Sequence, residues 1–100
     1  MEQDYLNDPE FQELVREYIQ YLSDNLVEIK EDLNNSDYLK VQKFGHNLKG
    51  SGGGYGLMEM SKIGQKIEEA AISHELNLLN ELITQFEVEL KSAKKKYSME

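Results

Sequence analysis

From Phe11 onward the apolar residues Leu14, Val15, Tyr18, Leu22, Leu26, Ile29 and Leu33 recur at steps of three and four. That spacing lays one apolar stripe along a helix and predicts a long amphipathic element over about residues 9–33. Asp8-Pro9 supplies its start: a capping carboxylate, then a proline at the first helical position, where the missing N–H costs nothing. Asn34-Asn35-Ser36-Asp37 follows as a turn, because these short polar side chains bond the local backbone and compete with helix.

The same period resumes three more times. Tyr38, Val41, Phe44, Gly45 and Leu48 mark the inner face of a second helix over about 37–51. Met60, Gly64, Ile67 and Ala71 mark a third over about 57–72. Leu79, Leu82, Ile83, Phe86 and Leu90 mark a fourth over about 75–96. Between the second and third helices, residues 50–56 hold five glycines in seven positions. Each costs a helix about 1 kcal/mol relative to alanine, so the second helix is expected to fray or end there. No strand alternation or internal repeat interrupts the pattern. Four helices with short connections predict an all-α, antiparallel up-down-up-down four-helix bundle.

Composition narrows the function classes. One hundred residues make one domain, so a single domain over 1–100 is expected. The formal net charge of −8 repels a phosphate backbone, and no nucleic-acid partner is expected. Absence of cysteine excludes disulfides and thiolate metal ligands. Apolar runs are far shorter than the roughly 20 residues that span a bilayer, and no charged-then-apolar leader opens the chain. A cytoplasmic protein, a monomer without membrane insertion, is the expectation.

The glycine stretch is not a nucleotide loop. It ends in Leu57 where a phosphate loop has lysine, and no strand precedes it. His46 gives it another meaning. On the helical wheel His46 shares its face with Leu39, Gln42, Lys43, Lys49, Gly50 and Gly53, opposite the apolar set. An exposed histidine on a helix is ordinarily just a surface residue, and lysines on a solvent face are common. Glycines on two successive turns of an exposed face are less ordinary, because they weaken the helix without a packing benefit. Bare backbone of that kind admits a bulky partner. An imidazole with cations beside it and an open approach suits a nucleophile for phosphoryl groups. Such an imidazole needs an acceptor on its other ring nitrogen. The third helix offers Glu68 and Gln65, one turn apart, beside Gly64, which lets the two helices approach closely. Glu68 otherwise reads as a solvated helical acid.

His46-Asn47-Leu48-Lys49-Gly50-Ser51, followed by Tyr55-Gly56, Met60, Gly64 and Ile67-Glu68, resembles the pattern of the histidine phosphotransfer (HPt) domain family. The motif covers residues 46–68, and the flanking helices match the family's architecture. Gly45 stands where alanine is common, Gly64 where cysteine is common, and Met60 and Ile67 where leucine is common. These departures read as core-packing substitutions.

The resemblance implies a bundle whose His46 is transiently phosphorylated by a receiver-domain aspartate and passes the group to another receiver. It implies that Lys49 assists the phosphoryl group, Gly50 clears room for the receiver, and Glu68 hydrogen-bonds the ring. Leu39, Gln42, Lys43 and Gly53 would complete the contact surface. The expected partners are response-regulator receivers and a hybrid histidine kinase. No cofactor or metal is expected in this chain, and the Mg²⁺ of phosphoryl transfer would sit with the receiver's acids. The chain reads as a carrier without its own ATP site. Two rivals remain: the phosphotransfer domain of a chemotaxis-type kinase, and a helical adaptor that is never phosphorylated. His74, in the third turn, is assigned no function.

Overall fold

The computed structural model describes residues 4–99. After a short 3₁₀ turn over Asp4–Asn7, four helices follow: α1 (Pro9–Asn34), α2 (Tyr38–Gly54), α3 (Met58–Ile72) and α4 (Leu76–Lys96). They form an antiparallel up-down-up-down bundle. Each helix packs on the next, and α4 closes back on α1. The α2–α3 pair is by far the most intimate, and α1 lies loosely against α2. No helix among the described residues is long and apolar enough to cross a membrane.

Local chemistry places the helix starts. Asp8 accepts a hydrogen bond from the Glu10 N–H (3.0 Å), with Pro9 at the first position, and Asp37 accepts from the Lys40 N–H (3.2 Å). The ends share one device. Ser36, Gly56, His74 and Ser98 all adopt positive φ, between 54° and 77°, just beyond their helices. In each case the next residue's N–H reaches back five positions, as Asp37 does to the Asp32 carbonyl (2.9 Å). These are Schellman closures, which satisfy carbonyls the helix leaves open. Only Gly56 is a glycine, and there a Cβ would also strike Leu6 at 2.8 Å.

The core runs through Val15, Ile19, Leu22, Val41, Leu48, Met60, Ile67, Leu79 and Phe86, all almost fully buried. Phe44 closes on Phe86 edge-on at 5.2 Å. Two details depart from the sequence pattern. Leu14 is 48% exposed, because the buried stripe of α1 centres on Val15, Ile19 and Leu22 and leaves Leu14 on its flank. Ile19, Ile63, Ala70 and Ala93 are buried although the stripes drawn above omit them.

The second helix does not end at residue 51. It continues through Gly54. Packing against α3 overrides the poor propensity of glycine: Gly52 is buried, and a Cβ there would lie 3.2 Å from the Ser61 nitrogen and 3.3 Å from the Met60 Cβ. The Ser61 hydroxyl also donates to the Lys49 carbonyl (2.7 Å), tying the start of α3 to this turn.

Candidate functional site

The site is set by how closely α2 and α3 approach. Gly45 and Gly64 are both buried, and each occupies a place where a Cβ would collide with the opposite backbone. With no side chains between them, the helices pass near enough for short side chains on their open edges to meet. His46 and Glu68 do meet there. Nδ1 of His46 lies 2.9 Å from Oε2 of Glu68. The imidazole is 69% exposed and the carboxylate 20%, so the acid is partly sheltered while the ring stands in solvent. A carboxylate accepts only, so Nδ1 carries the proton and donates it. In the neutral ring the lone pair then falls on Nε2.

Of the two acceptors that the sequence offers on α3, the structure brings Glu68 to the ring. Gln65 turns away and donates to Glu69 (3.3 Å). Around His46 and Glu68 lies a shallow recess of about 420 Å³, completed by Gln42, Lys43 and Asn47. Lys49 is exposed one turn further on, outside that recess and on the flank towards α3. Leu39 is exposed two turns before His46 and is likewise not part of the recess.

The glycines separate into distinct groups. A Cβ at Gly50 would meet nothing within 4 Å, so its surface is open as expected. Gly53 departs from expectation: it is half-buried and faces α3, where a Cβ would touch the Ser61 hydroxyl at 3.5 Å. The second bare glycine is Gly54, which also has nothing within 4 Å. Neither Gly54 nor Asn47 belongs to the face that the helical wheel assigns to His46. Asn47 carries a readable signal, since it stands four positions after Lys43 on one edge of the exposed face. Gly54 does not, because it matters only if α2 continues past residue 51.

α2 contains three lysines and no acidic residue, in a chain of net charge −8. Lys40 lies near Asp32 (4.0 Å) and Asp37 (3.9 Å), while Lys43 borders the His46 recess. Among the described residues no group of three or more His, Cys, Asp or Glu is placed to hold a metal ion.

A family model described as Hpt domain matches residues 13–95, which covers all of this site and most of each helix. The chain belongs to the Hpt domain family. No match was found among curated proteins or solved structures. Hpt domains are helical bundles that carry phosphoryl groups on histidine in phosphorelays and interact with response-regulator receiver domains. They are carriers, without an ATP site of their own. In this Hpt domain, His46 has a carboxylate partner 22 residues later in the chain.

Proposed function

We propose that this Hpt domain accepts a phosphoryl group on Nε2 of His46 from the aspartyl phosphate of one receiver and returns it to the aspartate of another. The observation that carries the reading is the 2.9 Å contact between Nδ1 of His46 and Glu68 on an exposed ring, which in the neutral imidazole puts the lone pair on Nε2. The lone pair of Nε2 attacks phosphorus. As the N–P bond forms, the P–O bond to the aspartate breaks and its electrons leave with the carboxylate oxygen. The imidazole then bears a positive charge, with its proton retained on Nδ1. Glu68 opposes that charge at hydrogen-bonding distance, acting as a positioning and charge-balancing group. Onward transfer is the reverse reaction on a second receiver.

Lys43 and Lys49, on the two flanks of His46, offset the charge that gathers on the phosphoryl oxygens in flight. Gly50 leaves the backbone bare for the approaching receiver. Mg²⁺ belongs to the receiver's acids, and this chain acts as a carrier between two receivers.

Incubation with a panel of phosphorylated receivers tests this directly. Acid-labile label is expected on the unaltered protein and none on His46→Gln, with helical content unchanged. Label persisting on His46→Gln, for example at His74, overturns the assignment.

A further inference from the structure

The last five residues of α2 are Gly50, Ser51, Gly52, Gly53 and Gly54, so the helix beyond His46 has few side chains to hold it. Glycine weakens a helix interior relative to alanine, and four in five positions leave this end prone to fray. Lys49 opens that stretch. It is exposed, yet α3 holds its backbone on both sides. The Lys49 nitrogen lies 2.5 Å from where a Cβ of Gly64 would stand, and the Lys49 carbonyl accepts a 2.7 Å hydrogen bond from the Ser61 hydroxyl.

That bond is unusual in direction. Serine and threonine inside a helix ordinarily turn the hydroxyl to a carbonyl of their own helix one turn earlier, as Thr84 does to Asn80 (3.1 Å). Ser61 reaches across instead, and among the described residues no other helix sends a side chain to bond the α2 backbone. A carbonyl has two lone pairs, so that of Lys49 takes the hydroxyl beside its helical partner, the Gly53 N–H. Gly53 packs on the same hydroxyl, where a Cβ would sit 3.5 Å away. Ser61 and Glu68 are seven residues apart, two turns along one face of α3, with Gly64 between them. From that face Glu68 holds the His46 ring and Ser61 holds the residue that carries the flanking cation.

We propose that Ser61 is a positioning residue for phosphotransfer and acts through Lys49. Its hydroxyl keeps the Lys49 carbonyl in the helix against fraying of the glycine end, and so keeps the Lys49 ammonium on the flank of His46. This rests on the proposed phosphotransfer function and adds to it a residue that stands outside the His46 recess.

The test compares the unaltered protein, Ser61→Ala, Lys49→Ala and the double variant in transfer from a phosphorylated receiver. Alanine is the best helix former, so Ser61→Ala is expected to keep the helical content. It is expected to lower the saturating transfer rate about two- to fivefold, the range that one hydrogen bond supports, and to leave the half-saturating receiver concentration unaltered. Labelling by phosphoramidate should fall in parallel, because Lys49 offsets charge on the phosphoryl group of either donor. In the Lys49→Ala background, removing the Ser61 hydroxyl should change the rate no further. Amide exchange at residues 50–54 should quicken about fivefold in Ser61→Ala. Transfer by Ser61→Ala at the unaltered rate overturns the proposal, as does unaltered exchange at 50–54. So does a Ser61→Ala effect that persists in full beside Lys49→Ala, which would make the bond structural only. If the unaltered protein takes no label on His46 from any receiver, the proposed function itself fails, and that is seen before any variant is made.

Discussion

Gly45 of α2 and Gly64 of α3 face each other so closely that a Cβ on either would lie 2.8 Å from the other's carbonyl oxygen. The added atom would also approach the Glu68 nitrogen at 2.6 Å from Gly45, or the Lys49 nitrogen at 2.5 Å from Gly64. Backbone cannot swing aside as a flexible side chain does, so the helices must separate. Gly45→Ala and Gly64→Ala are each expected to destabilise the fold by about 1–3 kcal/mol, the usual range for overpacking. Separation should also loosen the His46–Glu68 contact. Urea unfolding measures the first effect, and the ¹⁵N shifts of the His46 ring, which report its tautomer, measure the second.

Glu68 acts through His46, and its substitutions should grade accordingly. Glu68→Ala is expected to slow transfer without stopping it, because Nε2 can still attack when the other tautomer interconverts. Glu68→Gln should be milder, since the amide keeps an acceptor oxygen within reach of Nδ1. The ¹⁵N shifts of His46 should change in the same order. Equal rates and equal shifts in all three proteins would make Glu68 a surface acid only.

Gly50 sets stability against function. Its backbone has ordinary helical angles and open space where a Cβ would stand. Gly50→Ala should therefore stabilise the fold by up to about 1 kcal/mol. Gly50→Gln should melt no earlier than the unaltered protein, yet exchange phosphoryl groups with a receiver far more slowly. A displacement of about 1 Å between reacting groups can already cost 10²-fold. Thermal melts and receiver transfer measured on the same sample check both halves.

Three helices end on non-glycine residues at positive φ: Ser36, His74 and Ser98. That conformation costs L-residues roughly 1–2 kcal/mol, partly offset in glycine by its greater freedom when unfolded. Ser36→Gly and Ser98→Gly are expected to stabilise by about 0.5–1 kcal/mol in chemical denaturation. His74→Gly should gain less, because the His74 ring stacks on Tyr38 (4.2 Å between centroids, 10° between planes) and that contact is lost.

Tyr18 gives the fold an alkaline limit. Burial pushes its phenol up from 10.0 to about 12, against a smaller lowering by the Ser51 hydroxyl. The unfolded chain loses this proton first as pH rises. Its contribution to stability is therefore intact below pH 10 and falls away between pH 10 and about 12. A tyrosinate absorbance step near pH 12 is expected in the unaltered protein and absent from Tyr18→Phe. Stability of Tyr18→Phe should decline less over the same interval.

Much of this molecule is legible along the chain. The apolar stripes, the Asp8-Pro9 start and the polar turn at 34–37 depend on residues within a few positions of one another, so periodicity and capping chemistry reveal them. The spacing of His46, Lys49, Gly50 and Glu68 is equally visible, and it carries the family resemblance that the match over 13–95 bears out. Only tertiary structure decides the rest. Whether α2 survives its glycines, whether Glu68 or Gln65 meets His46, and whether Gly53 or Gly54 lies bare all depend on how closely α2 passes α3. That distance is set where Gly45 and Gly64 touch. Helix propensity, which weighs each glycine alone, contains no term for a neighbouring helix.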